Sequence, residues 1–232
     1  MFICTRRDRA LILALALANA ATPALAQSPY LQQGLKLVGN DASTTANQGE
    51  SVALSADGNT AIVGGTRDSN ERGAAWVYTR VNGVWSQQGA KLNASDALGA
   101  NPHQGISVGL SGDGKTAIVG GYHDASVNGA AWIYTRDNIG VWTQRQKLTS
   151  AINAEQFGRS VALSTDGNTA IIGAWNATSP GRAYVFTRDT AGVWTQQTQL
   201  IGGDANGSAS MGVAVALSAN GNTAIEIGRA HV

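Results

Sequence analysis

One short string in the sequence has the residue types and spacing of a hydrolase nucleophile. Residues 105–109 read GISVG, which matches the G-x-S-x-G pattern that exposes a serine at a strand-to-helix turn. The same register recurs around Ser51 and Ser160, in the strings GESVA and GRSVA. A serine that returns at one place in a repeat, with no helix pattern after it, is expected to be a strand residue. We therefore predict no catalytic role for Ser107.

Histidine and cysteine offer little further chemistry. His103 and His123 stand in different repeat units and different loops, and Asp124 is the carboxylate next to His123. A general base needs a partner within hydrogen-bond reach, but exposed loop histidines are the simpler interpretation. Cys4 is the only cysteine and lies in a predicted leader. The chain after residue 26 therefore has neither thiol chemistry nor disulfides.

The elements that must position these residues form a tandem repeat. The stretch SVALSADGNTAIVGG begins at Ser51, and related stretches begin at Ser107, Ser160 and Ala214. The start-to-start spacings are 56, 53 and 54 residues, a period that is typical of repeat architectures. In each stretch two apolar strands flank an Asp-Gly or Asn-Gly pair, which is a strong signal for a hairpin turn.

Each complete unit carries four predicted strands. In the first unit they cover residues 49–55, 60–64, 73–80 and 84–92. Four antiparallel strands at a fixed period predict an all-β fold, a β-propeller of four-stranded antiparallel blades. We expect about three complete blades plus partial ones at each end, and a solenoid is the alternative. The predicted units are residues 49–96, 105–150 and 157–204, and a partial unit at 212–225.

Tryptophans recur in register with the repeat. Trp85, Trp142 and Trp194 begin the fourth strand of their units, and Trp76 and Trp132 share a position in the third strand. Residues at repeated positions usually pack between neighbouring units. We therefore expect these tryptophans to make blade-to-blade contacts rather than to form a sugar-stacking platform.

Both ends of the sequence carry further signals. Residues 1–26 combine three arginines, an apolar run and a small-x-small site, the pattern of a secretory signal peptide.

Residues 30–41 are similar to 85–96 and predict an opening strand that completes a blade. Glu226 stands where the other units have valine or isoleucine, and we expect 226–232 to be a non-native tail on a C-terminally truncated fragment. Open blade edges would then favour self-association.

Charge and hydropathy argue against two classes of partner. The formal net charge is +1, with 13% charged residues, so the chain lacks the basic footprint of a nucleic-acid-binding protein. The apolar run of the leader, ALILALALA, is too short for a stable membrane span.

The units resemble FG-GAP repeats of the bacterial, integrin-α-like β-propeller type. The third unit carries the resemblance best, with Phe157-Gly158 before RSVALSTDGNTAIIGA, then GRAYVFTR and VWTQQTQL. Some integrin-like propellers hold calcium in an acidic loop between strands one and two, since calcium needs six to eight oxygen ligands. That loop is shortened here to a hairpin with one carboxylate, such as Asp57. We therefore expect no metal site and no cofactor.

The resemblance also indicates where a ligand would bind. In integrin-like propellers the ligand-binding face is built from the loops that join strand two to strand three and strand four to strand one. The strand-two-to-three loops also differ most between these units, and variable loops on a regular frame are where function concentrates. By that resemblance the candidate ligand-binding residues are Arg67, Asp68, Tyr122, His123, Asp124 and Trp175.

These observations favour a binding protein over an enzyme. We expect an exported β-propeller, secreted, periplasmic or at the cell surface, that acts as a binding or adhesion scaffold for a protein or glycan partner. A lectin-like, carbohydrate-binding propeller is one alternative, based on the loop aromatics Tyr122 and Trp175. The other is the non-catalytic half of a propeller enzyme whose active residues lie in a missing C-terminal part.

Overall fold

Nearly all of the regular structure is antiparallel β-sheet. The computed structural model describes residues 4–6, 30–152, 156–175, 181–202 and 210–228. Within these residues the strands form three four-stranded sheets and two two-stranded sheets, and consecutive strands of each four-stranded sheet are neighbours. The prediction of an all-β fold built from propeller blades is confirmed.

Each four-stranded sheet is one blade. A pair of short strands, β1 (Cys4–Arg6) and β2 (Tyr30–Gln32), precedes the blades. The first blade contains β3 (Ser51–Leu54), β4 (Thr60–Gly65), β5 (Ala74–Val81) and β6 (Val84–Gln87). The second contains β7 (Ser107–Leu110), β8 (Thr116–Gly121), β9 (Ala130–Arg136) and β10 (Trp142–Leu148). The third contains β11 (Phe157–Leu163), β12 (Thr169–Ala174), β13 (Arg182–Arg188) and β14 (Trp194–Leu200). The last sheet is the hairpin of β15 (Ala214–Leu217) and β16 (Ala224–Ile227), and a single turn, α1 (Asp68–Glu71), follows β4.

The hairpin between the first two strands of each blade is closed by its own side chains. In the first hairpin the Asp57 carboxylate accepts hydrogen bonds from the Ser55 hydroxyl at 2.5 Å and from the Asn59 amide at 2.9 Å. The bond from Ser55 is the main reason that the pKa of Asp57 is lowered. Asp113 and Asp166 accept equivalent bonds. The predicted turn, with an aspartate capping its own backbone, is confirmed.

Neighbouring blades meet through their first strands, by a hydrogen bond that recurs at every junction. The hydroxyls of Ser51, Ser107 and Ser160 donate to the carbonyl oxygens of Gly105, Gly158 and Gly212 at 2.8, 2.9 and 2.8 Å. The backbones approach so closely that a Cβ added to Gly64, which pairs with Ser51, would lie 2.0 Å from the carbonyl oxygen of Gly105. The Gly-Gly end of the second strand is therefore a packing requirement of the repeat.

The apolar core lies between the blades. Val108 and Leu110 of β7 join Ile62 and Val77 of the first blade in one buried cluster. Trp132 belongs to the same cluster and is fully buried. The prediction that the repeated tryptophans serve packing is thus confirmed for this position, and the same burial is found for the other tryptophan of its register.

The outer faces of the first and last sheets remain exposed. Val52 and Leu54 are each 54% exposed, whereas Val108 and Leu110 at the same positions of the second blade are 8% and 9% exposed. Ile225 of β16 is 62% exposed. Such faces are apolar surfaces of the kind that attract a partner, but self-association through them stays a prediction.

Strand boundaries differ from expectation at two places. The sequence predicts an opening strand over residues 30–38, yet β2 ends at Gln32 and pairs with β1 rather than with a blade. The fourth strand of the first blade ends at Gln87, because the chain leaves the ladder there and rejoins it through a bridge between Ala75 and Leu92.

The predicted end segments fall largely outside the described residues. Of the predicted signal peptide the structure describes only 4–6, and of the predicted tail it describes 226–228. Glu226 continues β16, where its carboxylate accepts a hydrogen bond from the Gly212 amide at 2.8 Å. Burial raises the pKa of Glu226. Both segment assignments stay predictions.

Candidate ligand-binding loop face

The strand-two-to-three loops and the strand-four-to-one loops meet at one end of the blades. The His123 amide donates to the Pro102 carbonyl at 3.3 Å, and the Gln104 amide donates to the Arg72 carbonyl at 3.0 Å. Each of these bonds joins one loop type to the other, so the two types form a continuous surface. We call this end the loop face, formed by residues 42–50, 66–73, 98–106 and 122–129 together with Trp175.

A buried ion pair fixes each complete strand-two-to-three loop. The Lys91 ammonium lies 2.6 Å from the Asp68 carboxylate, whose side chain is 1% exposed. Asp68 also accepts a hydrogen bond from the Ser43 amide at 2.7 Å. Burial acts to raise the pKa of Asp68, but the bonds from Lys91 and Ser43 outweigh it and the pKa is lowered. In the second blade Lys147 pairs with Asp124 at 2.6 Å in the same way.

Next to each ion pair, a tryptophan forms a hydrogen bond with an aspartate in the segment that precedes the blade. The Trp76 indole N–H donates to Asp41 at 2.9 Å, and the Trp132 indole N–H donates to Asp96 at 2.9 Å. Lys147 connects the two parts, because it donates to the Asp96 carbonyl at 3.1 Å and lies 5.6 Å from the Trp132 ring centre. We call each set of four residues a clasp. The first clasp is Asp41, Asp68, Trp76 and Lys91, and the second is Asp96, Asp124, Trp132 and Lys147.

The third blade replaces all four clasp positions at once. In register, Tyr184 stands for the tryptophan, Gln199 for the lysine, Ile152 for the entering aspartate and Ala177 for the loop aspartate. A buried charge without its partner is costly, so the charged members of such a cluster are kept or lost together. The clasp is therefore a structural unit of the first two blades.

This finding changes the interpretation of two candidate residues. Their place in variable loops predicts that Asp68 and Asp124 contact a ligand. In the structure they hold the same repeat position, each is 1% exposed, and each is committed to a lysine. Their carboxylates therefore shape the loops from inside and do not face solvent.

Four side chains next to the second clasp form an aromatic and cationic cluster. The rings of His103 and Tyr122 are stacked, with centres 5.3 Å apart and planes at 23°. His123 meets both rings edge-on, at 4.8 Å from Tyr122 and 5.3 Å from His103. The Arg159 guanidinium lies 5.7 Å from the Tyr122 ring centre. We call His103, Tyr122, His123 and Arg159 the loop-face cluster.

His103 reaches the cluster from a left-handed backbone position, with a φ of 55°. The equivalent residues two positions before the repeat glycine are Asn47, Gln156 and Ser210, with φ values of 55°, 51° and 49°. Left-handed φ is uncommon for residues other than glycine. The left-handed backbone is thus repeated in every unit while the side chain changes. This is the pattern expected at a position whose side chain faces a ligand.

The surroundings of His103 favour the neutral form of its imidazole. Burial is the largest cause of the lowered pKa of His103, and the nearby His123 and Arg67 lower it further. Glu71 and Glu50 act in the opposite direction but do not compensate. A neutral imidazole offers one donor and one acceptor, so His103 is available for hydrogen bonding near neutral pH.

Arg67 lies in the first blade at the position that His123 occupies in the second. It is exposed and lines a shallow depression of about 420 Å³ with Thr45, Asn70 and Glu71. Within the described residues, no carboxylate forms an ion pair with Arg67 or Arg159.

Trp175 occupies in the third blade the position of Tyr122 and is half-buried. Its indole nitrogen has no hydrogen-bond partner among the described residues, and neither has the side-chain carbonyl oxygen of Gln156, which occupies the position of His103. Among the described residues, a donor and an acceptor of this blade thus have no partner at the loop face, and polar groups without a partner are costly when buried.

The structure joins some candidates and adds others. Tyr122 and His123, two of the candidates, lie in contact. The sequence places His103 and His123 in different loops, yet the structure brings their rings within 5.3 Å of each other. His103 and Arg159 were not among the candidates. His103 could have been found from its place in a strand-four-to-one loop, but Arg159 could not, since it lies within β11 and reaches the cluster only through the packing of one blade on the next.

The structure assigns a structural role to Ser107. Its hydroxyl donates to the Gly158 carbonyl in the bond that recurs at every blade junction. Residues 4–6, 30–152, 156–175, 181–202 and 210–228 contain no group of three or more His, Cys, Asp or Glu residues arranged to hold a metal ion.

Repeated blades, recurring junctions and a variable loop face define a β-propeller repeat protein. Residues 142–186 match the sequence model of the FG-GAP repeat, so the chain contains an FG-GAP repeat where the sequence resemblance is strongest. No curated protein matches the chain.

Solved structures share the fold at low sequence identity. A protein of unknown function from Desulfotomaculum acetoxidans is 12% identical with a TM-score of 0.56, and the alignment covers 88% of this chain and 54% of that one. Sqt1 from Chaetomium thermophilum is 15% identical with a TM-score of 0.50, with 80% and 43% covered. The chain thus spans about half the length of these structures, and at this identity the likeness concerns the fold alone.

In the part of the chain that the structure describes, helix is confined to short turns, and none is long and apolar enough to cross a bilayer.

Proposed function

We propose that this protein is an exported, non-catalytic binding scaffold whose loop face holds a protein or glycan partner at the cell surface. The observation that carries the proposal is the loop-face cluster. Side chains from three separate segments converge there on the regular frame of the blades. Variable, partly exposed groups on a rigid repeat are the usual form of a binding surface.

The absence of catalysis is part of the same proposal. It is supported by Ser107, whose hydroxyl is used at a blade junction, and by Asp124, whose carboxylate is committed to Lys147 rather than to His123. A nucleophile needs a base in hydrogen-bond contact, and the described residues offer no such pair at these positions.

Binding of the purified, fluorescently labelled chain to intact bacterial cells tests the proposal. The double variant Tyr122→Ala/Arg159→Ala should lose most of the binding. Lys115→Ala is the matched control, because it removes a positive charge from an exposed hairpin turn away from the loop face. Equal binding of both variants and the unchanged chain would show that the loop face is not the binding surface.

A carbohydrate-binding propeller is a second candidate, favoured by the third blade. The indole N–H of Trp175 and the side-chain carbonyl of Gln156 have no partner among the described residues. They provide a donor and an acceptor, and a sugar hydroxyl can satisfy both types. Array screening with neutral and acidic glycans separates this candidate from a protein-binding scaffold, which would give no specific glycan signal.

A further inference from the structure

Two arginines, Arg67 and Arg159, bring positive charge to the loop face. Arg67 and Arg159 have no ion pair with a described residue. The two loop-face carboxylates outside the clasps, Glu50 and Glu71, accept hydrogen bonds from neutral groups. Glu50 accepts from the Thr66 hydroxyl at 2.5 Å, and Glu71 accepts from the Asn101 side-chain amide at 3.0 Å.

The cluster also holds one of these positive groups in place. Tyr122 is stacked on His103, and the guanidinium of Arg159 lies 5.7 Å from the same ring. Contact with an aromatic ring orients a guanidinium but leaves its N–H groups free to bind a planar anion in a bidentate manner. His103 and His123 lie against the same Tyr122 ring and are further possible donors.

We propose that the loop-face cluster binds the carboxylate of an acidic polysaccharide, a polymer of uronic acid sugars. Arg159 donates two hydrogen bonds to the carboxylate, and His103 and His123 donate to the same group or to adjacent hydroxyls. The inference rests on the proposed function, since it names the chemical class of the partner that the loop face holds.

The third blade favours a polysaccharide over an acidic peptide. At the positions equivalent to His103 and Tyr122, Gln156 and Trp175 present an acceptor and a donor that have no partner among the described residues. Sugar hydroxyls act as donor and acceptor at once, whereas an acidic side chain only accepts. A uronic acid polymer carries both carboxylates and hydroxyls, and it can follow the loop face from one blade to the next.

Acidification is expected to strengthen this binding. The charged and titratable groups around His103 are His123, Arg67, Glu71 and Glu50, with Arg159 across the Tyr122 ring. Burial lowers the pKa of His103 in the free protein, and a bound carboxylate favours the charged imidazole. Binding is therefore coupled to proton uptake, and affinity should rise between pH 7.5 and pH 5.5.

Isothermal titration calorimetry of the whole chain with oligogalacturonate, at low salt, tests the proposal. The matched ligands are the same oligosaccharide after reduction of its carboxyl groups, and oligoglutamate as an acidic peptide. Arg159→Ala should weaken binding of oligogalacturonate by about 10- to 100-fold, the loss typical of a charged hydrogen bond. Lys115→Ala should leave it unchanged, and Tyr122→Phe, which keeps the ring, should change it less than about threefold. Near-ultraviolet circular dichroism verifies that each variant folds.

The outcomes separate this inference from the proposed function. Preferential binding of oligogalacturonate that depends on Arg159 and tightens at pH 5.5 supports it. Equal binding of the carboxyl-reduced sugar overturns it but leaves a glycan-binding scaffold in place. Equal or tighter binding of oligoglutamate overturns the choice of a polysaccharide. No binding of any of the three ligands overturns the inference, while binding to cells through the loop face would still support the scaffold.

Discussion

The two ends of each blade follow different rules. At the hairpin end, the turns around Asp57, Asp113 and Asp166 repeat the same serine and aspartate bonds, and the last hairpin does so with Asn220. At the loop face the backbone repeats, whereas the side chains outside the clasps change. Trp175 and Gln156 there each have a polar atom with no partner among the described residues. A polar residue that is repeated from blade to blade in this protein therefore has a structural role. A binding surface is expected where equivalent positions of the blades carry different side chains.

The largest expected effect comes from breaking a clasp. Lys147→Ala leaves the Asp124 carboxylate buried and unpaired, and removing one partner of a buried pair typically costs about 3 kcal/mol of the free energy of unfolding. Gln199→Ala changes the equivalent exposed position of the third blade, where no clasp exists, and should cost less than about 0.5 kcal/mol. Urea unfolding measures both. Similar losses for the two variants would show that the clasp does not stabilise the second blade.

The junction serines should behave alike. Ser51→Ala, Ser107→Ala and Ser160→Ala each remove one inter-blade hydrogen bond and should each lower the free energy of unfolding by about 1 kcal/mol. Thermal unfolding monitored by circular dichroism gives the comparison. A loss of function on replacing Ser107 alone, without the loss of stability, would contradict its assignment as a frame residue.

The hairpin end should tolerate change without loss of binding. Asp113→Ala removes the cap of the second hairpin and should cost about 1 kcal/mol of stability, while Asp113→Asn, which keeps an acceptor as Asn220 does, should cost less. Cell binding should be unchanged for both. Reduced binding by the folded Asp113→Asn variant would place the hairpin end in the ligand surface.

The smallest expected effect is a change in pH dependence. Because the pKa of His103 is lowered in the folded protein, the unfolded chain binds more protons as pH falls through about 6.5. The free energy of unfolding of the ligand-free protein should therefore fall between pH 7.5 and pH 5.5. His103→Gln, which installs the side chain found at this position in the third blade, should reduce that fall. An unaltered slope in urea unfolding at the two pH values would mean that His103 does not titrate differently on folding.

The frame could be predicted from the sequence, because its causes are local and repeated. Short apolar runs on either side of Asp-Gly turns predict hairpins, and the period predicts blades, as β3 to β14 confirm. The clasps could not be predicted from the sequence. Lys91 and Asp68 stand 23 residues apart, and their contact follows from the packing of loops. The loop-face cluster was predicted in part, because Tyr122 and His123 are adjacent in sequence, while Arg159 joins them only across a blade junction.

The central claim, that the loop face rather than the hairpin end holds the ligand, is tested most directly by nuclear magnetic resonance. The chain would be labelled with ¹⁵N and with ¹³C in histidine, and titrated with oligogalacturonate. The account predicts shifts of the imidazole signals of His103 and His123 and of the Arg159 amide, with the amides of Asn59 and Lys115 at the hairpin end unmoved. Shifts confined to the hairpin end, or binding that leaves both imidazoles unchanged, would contradict it.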